Sequence, residues 1–191
     1  IFKSMNELRK TQAKSKKEPT GGHFDYGRQG TSTTFILQKM LKEMEEGHHV
    51  FLTPTGFGSV FLSIFSVVRP GDEILVADPV YYPTRLLTED FLKSFNIKTI
   101  FYDSRNLNAL KSKITKKTKL IYVENPGSNS FEFQDLSKII SLAKKYKLFT
   151  AIDNTWATPY FLKPIKLGFD MSIVSATKYY SGHSDVMGGS L

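Results

Sequence analysis

The stretch KLIYVENPGSNSFEFQDLSKIISLAKKYKLFTAIDN, residues 119–154, decides the predicted fold. It begins with the apolar run KLIYVE and passes through the polar segment ENPGSNS. It continues into DLSKIISLAKKYK, with apolar residues at helical spacing, and closes with a second apolar run, LFTAID. Apolar strands that alternate with helices are typical of a largely parallel sheet covered by helices. We therefore predict an α/β protein.

The same alternation extends on both sides of this segment. Further predicted strands lie at residues 49–53, 73–77, 96–102 and 170–175, and further predicted helices at 31–47, 59–68 and 84–95. In the helix at 31–47, Thr33 or Thr34 is the expected N-cap and Gly47 the expected stop. Residues 1–30 are polar and basic, and Gly21 and Gly22 mark an irregular segment. The regular pattern therefore begins near residue 31.

The composition limits the classes of protein to which the chain can belong. Its 191 residues are 40% hydrophobic, which is enough for one medium domain with its own core. The absence of cysteine excludes disulfides, thiol nucleophiles and thiolate metal sites. No apolar run is long enough to span a bilayer, and IFKSMNELRK lacks the apolar segment of a signal peptide. We therefore expect a cytoplasmic protein without a membrane partner.

The net charge of +8 is concentrated in two basic runs, residues 9–17 and 111–119. Basic patches can bind nucleic acid or a membrane surface. However, no aromatic interleaving, zinc spacing or helix-turn-helix signature accompanies these runs, so we predict solvated helix faces and no nucleic-acid partner. We expect no metal role for His48, His49 or His183, because no acidic or cysteine partners converge on them.

Polar segments follow the ends of the predicted strands. They are TPTGFGS at 53–59, DPVYYPTR at 78–85, ENPGSNS at 124–130, DNTW at 153–156 and SATKYYSGHSD at 175–185. Ligands of parallel sheets bind at the carboxyl ends of the strands, so these segments would form one site. The G-x-G of TGFGSVF has Phe61 where a dinucleotide fingerprint has its third glycine, which argues against a dinucleotide site. A glycine turn at a helix N-terminus still suits a phosphate, because free N–H groups and the helix dipole face the anion.

A carboxylate at one strand end and a lysine at the next are groups that pyridoxal phosphate requires. Asp153 closes LFTAID, and Lys178 follows 25 residues later. The cofactor's aldehyde reacts with a lysine amine, and its pyridine nitrogen needs an anion that keeps it protonated. Ser175 and Thr177 flank the lysine and can offer hydroxyls to the phosphate. Taken alone, Asp153 could be a helix cap and Lys178 a surface lysine, so the combination indicates the cofactor.

Three segments resemble the pyridoxal-phosphate enzymes of cysteine and methionine metabolism. They are YGRQGTSTTFILQKMLKEMEEG, AIDNTWATPYFLKPIKLGFDMSIVSATKY and SATKYYSGHSDVMGG. The resemblance implies an aspartate-aminotransferase-like fold (fold type I), with residues 1–47 as an N-terminal arm and first helix and 48–191 as part of the large cofactor domain. The family's C-terminal domain, which holds the arginine that binds the substrate carboxylate, would be absent. We therefore expect a fragment that does not turn over substrate by itself.

The resemblance also implies roles for individual residues. Lys178 would hold the cofactor covalently and remove the substrate's proton, Asp153 would pair with the pyridine nitrogen, and Tyr81 would stack on the ring. The implied phosphate ligands are Gly56, the amide of Phe57, Ser175 and Thr177, and, toward a neighbouring subunit, Tyr26 and Arg28. The last two would make the active form a homo-oligomer, a dimer or a tetramer of dimers. Without the resemblance, Tyr81 fits core packing and Arg28 an exposed loop arginine.

Two segments bear on the reaction within the family. ENPGSNSFEFQDL is similar to the Pro-Gly-Ser form of the bacterial cystathionine beta-lyases, where synthases and gamma-lyases usually carry Pro-Thr-Asn-Pro. DNTWATPYFLKP, with Trp156, favours the same group. The implied reaction is the cleavage of L-cystathionine to homocysteine, pyruvate and ammonia in methionine biosynthesis. A gamma-synthase, a gamma-lyase or a non-catalytic remnant remains an alternative.

Overall fold

The computed structural model of the chain describes residues 2–17 and 23–191. The chain divides into two compact units, residues 1–52 and residues 53–191, which are described separately. Gly21 and Gly22, predicted to mark an irregular segment, lie outside the described residues. Within the described ranges, no helix combines the length and the apolar character that a membrane span needs.

In the described part of the first unit lie two helices, α1 (Met5–Lys17) and α2 (Ser32–Glu45). Helix α1 carries the basic run at 9–17 and buries none of its residues, so this run is a solvated helix face as predicted. The second basic run, at 111–119, is different: it covers the end of one helix, a loop and the start of a strand. The prediction of a helix face is therefore wrong there.

Helix α2 begins with a capping box. The side chain of Thr31 accepts a hydrogen bond from the Thr34 N–H, and the Thr34 hydroxyl accepts one from the Thr31 N–H. This reciprocal arrangement satisfies two donors that a helix start leaves free. The predicted cap at Thr33 or Thr34 is thus wrong, because Thr34 is the reciprocal partner and Thr31 is the N-cap. At the other end, Glu46 rather than Gly47 adopts the left-handed conformation that stops the helix.

The second unit, which is described throughout, is built on a five-stranded sheet in which neighbouring strands are parallel. The strands are β2 (Glu73–Ala77), β3 (Lys98–Tyr102), β4 (Thr118–Glu124), β5 (Phe149–Asp153) and β6 (Met171–Ile173). Their order in the sheet is β3-β2-β4-β5-β6. Parallel neighbours need crossover connections, which helices provide here. The predicted α/β class with a mostly parallel sheet is confirmed.

Helices and short strands complete this unit. The helices are α3 (Gly56–Val67), α4 (Tyr82–Leu86), α5 (Leu92–Ser94), α6 (Leu107–Ser112), α7 (Leu136–Tyr146), α8 (Thr158–Phe161) and α9 (Pro164–Leu167), and a π-helical turn, Leu87–Phe91, joins α4 to α5. The predicted strand at 49–53 is reduced to β1, Leu52–Thr53. The predicted strand at 170–175 is shortened to β6, and Val174 after it forms an antiparallel bridge with Ser190 of β7 (Gly189–Ser190).

The apolar runs that define the strands form the core. Leu75, Ile121 and Ile152, on three adjacent strands, have no exposed surface. Helix α3 adds Ile64 and helix α7 adds Ile139 to the same cluster. Parallel strands covered on both faces read as near-continuous apolar runs rather than as alternating ones. This explains why their positions are visible in the sequence.

A buried polar network holds the segment that follows β4. The Gln134 side-chain oxygen accepts a hydrogen bond from the Tyr102 hydroxyl (2.8 Å), and its amide nitrogen donates to the Glu124 carbonyl (3.2 Å). The Gln134 N–H donates to the Asn125 side chain (2.8 Å). Tyr102 and Gln134 are both buried. The network therefore fixes the segment after β4 against the end of β3.

Replacing Gln134 with Ala is expected to lower the free energy of unfolding by about 1–3 kcal/mol, because the buried Tyr102 hydroxyl loses its acceptor. The matched control is the same substitution in a Tyr102→Phe background, where no hydroxyl is stranded and the loss is expected to be smaller. Urea unfolding of the four proteins measures both effects. An equal loss in both backgrounds would show that the Tyr102–Gln134 bond contributes nothing.

Candidate functional site

The start of α3 lies beside the segment that follows β6 and is the predicted phosphate site. Thr55 caps the helix by accepting a hydrogen bond from the Gly58 N–H (2.9 Å). Helix geometry leaves the N–H groups of Gly56 and Phe57 without intrahelical acceptors. A Cβ placed on Gly56 would lie 2.5 Å from the side chain of Ser175, closer than real contacts allow. Glycine is therefore required at 56, and the predicted phosphate ligands Gly56 and Ser175 lie in contact.

The segment after β6 turns sharply at the candidate lysine. The Lys178 N–H donates to the Ser175 carbonyl (3.0 Å), and the Lys178 side chain is exposed. The Thr177 hydroxyl lies 3.2 Å from the Gly188 carbonyl, to which it donates, and accepts from the Gly188 N–H at 3.1 Å. In this conformation the hydroxyl proton of Thr177 points to the backbone. Thr177 would have to rotate before it could donate to a phosphate, and its role stays a prediction.

Asp153 closes β5 and is linked to Ser175 through one residue. Its carboxylate accepts a hydrogen bond from the Thr155 N–H (3.0 Å), and the Thr155 hydroxyl accepts one from the Ser175 N–H (2.8 Å). Burial raises the pKa of Asp153 above its ordinary value, although the hydrogen bonds from Thr155 act in the opposite direction. An acid in this position is well placed to be held as an anion by a cation that binds beside it.

Glu124, which the sequence analysis did not select, lies next to Asp153. It closes β4, and the register of the parallel strands pairs Glu124 with Asp153. It is only 4% exposed. Burial, and then the negative charge of Asp153, raise the pKa of Glu124 to about 7. The signal in the sequence was an acid at the last position of KLIYVE, one strand before the acid that ends LFTAID.

Tyr81 precedes α4 and is tied to this acid pair through its backbone. Its N–H donates to the Glu124 carboxylate at 2.6 Å. Its side chain is 48% exposed, so it is not a core residue and the alternative of core packing does not hold. A half-exposed aromatic ring that is fixed at its backbone offers a face to a planar ligand.

The remaining predicted ligands, Tyr26 and Arg28, belong to the first unit. The Arg28 guanidinium lies 5.4 Å from the centre of the Tyr26 ring, a distance typical of a cation–π contact. Arg28 also lines an open cleft of about 810 Å³ within the same unit, together with Gln12, Lys16, Asp25 and Gln38. The proposed contact of Tyr26 and Arg28 with a neighbouring subunit stays a prediction.

Within the second unit the predicted residues form a connected set. Gly56 contacts Ser175, whose carbonyl accepts the backbone bond from Lys178. Thr155 links Ser175 to Asp153. Asp153 is in register with Glu124, which holds Tyr81. The arrangement combines a helix start with free N–H groups, an aromatic face, an acid pair and an exposed amine.

Comparisons with known proteins agree on one family. Residues 3–191 match the model described as Cys/Met metabolism PLP-dependent enzyme. A putative cystathionine beta-lyase of Saccharomyces cerevisiae is 37% identical over 189 residues, which are 99% of this chain and 53% of that protein. An L-methionine gamma-lyase of Pseudomonas putida is 32% identical over 168 residues, 88% of this chain and 42% of that protein.

A solved structure supports the same relationship. The structure of a putative O-acetylhomoserine (thiol)-lyase of Campylobacter jejuni, with a pyridoxyl-lysine phosphate, is similar with a TM-score of 0.81 at 30% identity, covering 84% of this chain and 40% of that one. The chain spans about half the length of the curated relatives that it matches. The predicted fold type I and the predicted pyridoxal-phosphate family are thus confirmed. The chain belongs to the pyridoxal-phosphate-dependent enzymes of cysteine and methionine metabolism.

Proposed function

We propose that this chain supplies the cofactor site of a carbon–sulfur lyase that cleaves L-cystathionine to homocysteine, pyruvate and ammonia. The observation that carries the proposal is a series of contacts that runs from Gly56 through Ser175 and Thr155 to Asp153. The backbone N–H of Lys178 donates a hydrogen bond to the Ser175 carbonyl in the same series. These contacts would bring together the groups that bind the phosphate, the ring nitrogen and the aldehyde of pyridoxal phosphate. The cytoplasmic location and the place in methionine biosynthesis stay predictions.

The phosphate of the cofactor fits the start of α3. The N–H groups of Gly56 and Phe57 and the Ser175 hydroxyl would hold it, and the helix dipole favours its negative charge. The absence of a side chain at 56 supports this fit, since Gly56 lies too close to Ser175 for a Cβ. Tyr26 and Arg28 would complete the phosphate site of a neighbouring subunit in a dimer or larger oligomer, where a guanidinium can form bidentate bonds.

Tyr81 and the acid at the end of β5 would hold the ring. Tyr81 offers its exposed face for stacking. The Asp153 carboxylate would accept a hydrogen bond from the protonated ring nitrogen. This charge pairing would hold the buried carboxyl group in its anionic form despite its raised pKa.

Lys178 has two functions in this proposal. Its amine would hold the cofactor's aldehyde, and it would take up the proton that the substrate's α-carbon loses. The bound cofactor supplies an electron sink for the charge that this proton transfer leaves on the substrate. The Lys178 side chain is exposed, which supports its movement between the cofactor and the substrate.

The choice of cystathionine rests on the segments after β4 and β5. Trp156 packs edge-on against Phe131, with ring centres 5.0 Å apart, and both rings are partly exposed. Trp156 lies three residues after Asp153 in the chain, and this aromatic surface can contact a thioether side chain. The similarity to an L-methionine gamma-lyase supports gamma-elimination as a second candidate. Release of pyruvate rather than 2-oxobutyrate from cystathionine by the full-length protein would favour the beta-lyase.

We predict that borohydride reduction of the protein with pyridoxal phosphate fixes the cofactor on Lys178. Peptide mapping by mass spectrometry identifies the modified lysine. The Lys178→Ala variant is expected to lose the label, whereas Lys116→Ala, which removes an exposed lysine outside the site, is expected to retain it. A label on any other lysine in the parent protein would contradict the proposal.

The Asp153→Asn variant is expected to bind pyridoxal phosphate at least a hundredfold more weakly, since removing one partner of a buried charge pair costs about 3–5 kcal/mol. Asn preserves an acceptor for the Thr155 N–H, so the fold is expected to persist. Asp103→Asn is the matched control, because Asp103 pairs with Arg105 outside the site. Equal affinities of the parent and the Asp153→Asn variant, measured by fluorescence titration, would exclude the pairing.

A further inference from the structure

Two loops of the site meet at Glu124. Its carboxylate accepts hydrogen bonds from the Tyr81 N–H and from the Ser128 hydroxyl. The Ser128 N–H in turn donates to the Pro79 carbonyl at 2.8 Å. A Cβ on Gly127 would lie 2.6 Å from the Pro79 ring, so the absence of a side chain at 127 allows the loops to approach. The loop after β4 therefore packs against the loop that carries Tyr81 and forms hydrogen bonds with it.

The same carboxyl group neighbours Asp153. Glu124 and Asp153 are register partners on adjacent parallel strands, so their side chains lie on the same face of the sheet, with the strands about 4.8 Å apart. Glu124 thus contacts the backbone of the residue expected to stack on the cofactor ring. It also lies beside the residue expected to bind the ring nitrogen.

We propose that Glu124 is a positioning residue that fixes Tyr81 through its backbone and adjusts the charge opposite the ring through its proximity to Asp153. This role rests on the proposed function, because it concerns the two residues assigned to the cofactor ring. Glu124 acts through Tyr81 and Asp153 and has no direct part in the bond-breaking steps.

The charge of Glu124 changes near neutral pH. Burial, and then the charge of Asp153, raise its pKa to about 7, while the bonds from Ser128 and Tyr81 partly oppose this. The neighbouring titratable groups are Asp153 on β5 and Tyr122 on β4. Burial raises the pKa of Tyr122, and the charges of Asp153 and Glu124 raise it further, so Tyr122 stays protonated. The acid pair therefore gains negative charge as the pH rises through about 7.

This titration affects stability in a defined direction. The pKa of Glu124 is raised in the folded protein above its ordinary value of 4.5, so the folded state favours the protonated acid. Stability from this group is complete below about 4.5 and is lost as the pH rises through about 7. The Glu124→Gln variant, which is neutral at every pH, is expected to become more stable relative to the parent over this interval.

The experiment compares Glu124→Gln, which keeps an acceptor for Tyr81, with Glu124→Ala, which does not. Glu132→Gln is the matched control, because Glu132 lies in the same loop and its side chain bonds Ser104 instead. Hydrogen exchange is expected to show at least a tenfold loss of protection at the Tyr81 amide in Glu124→Ala, with little change in Glu124→Gln. Because global destabilisation would also affect core amides, Ile121 serves as the internal reference.

The charge role is tested with 4′-deoxypyridoxine 5′-phosphate, which has the ring and the phosphate but no aldehyde to react with Lys178. Binding a protonated ring lowers the pKa of Glu124, and a shift of one unit is tenfold in affinity. The affinity of the parent relative to Glu124→Gln is therefore expected to rise about fivefold between pH 6 and pH 8, whereas Glu132→Gln follows the parent.

Unchanged Tyr81 protection in Glu124→Ala, or parallel pH profiles of the parent and Glu124→Gln, would overturn the positioning role. Absence of binding to the parent would instead contradict the proposed function. In that case the exchange and stability measurements, which need no ligand, still decide the role of Glu124.

Discussion

The parallel register between β4 and β5 is the constraint on which the site depends. It brings Glu124 and Asp153, the last residues of two buried strands, side by side at the carboxyl edge of the sheet. Burial raises the pKa of both carboxyl groups, and the negative charge of Asp153 raises that of Glu124 further. Burying two such acids costs free energy in the ligand-free protein, and a cation that binds beside them offsets this cost.

Hydrogen bonds extend from this pair into the surrounding loops. Thr155 carries the connection from Asp153 to Ser175, and Ser175 lies against Gly56 at the start of α3. Glu124 is connected to the loop of Tyr81, because its carboxylate accepts a hydrogen bond from the Tyr81 N–H. The side chains expected to hold the phosphate, the ring and the ring nitrogen are thus fixed by backbone contacts to the same two strands. Sites that are held by rigid elements in this way keep their geometry when the ligand is exchanged.

The sequence predicts the parts of the structure that depend on burial. EILVA is a strand with all five residues buried, and its bounds are as predicted because a covered parallel strand must be apolar throughout. Asp153 is recognisable because it ends an apolar strand, and Gly56 because it lies in a glycine turn that opens a helix. The cap of α2 is less visible: four hydroxyl residues, at 31–34, compete for the position, and the choice depends on the reciprocal bond between Thr31 and Thr34.

Other features depend on contacts between segments that are distant in the sequence. Glu124 has its role because β4 and β5 are neighbours in this register and because the loop before α4 reaches it. Neither relationship can be read from KLIYVE alone. The antiparallel bridge between Val174, after β6, and Ser190 likewise joins segments that lie apart in the sequence. Local patterns thus predict the strands and their terminal acids, while the coupling between the acids requires the folded structure.

The most direct test of this account is the titration of Glu124 in the ligand-free protein, observed by carbon-13 NMR of its side-chain carboxyl group and assigned by its absence in Glu124→Gln. We expect a midpoint of about 7 in the parent protein. We expect a lower midpoint in Asp153→Asn, still above the ordinary value because burial remains the larger cause. A midpoint near 4.5 in the parent, or one that Asp153→Asn leaves unchanged, would contradict the coupling of the two acids.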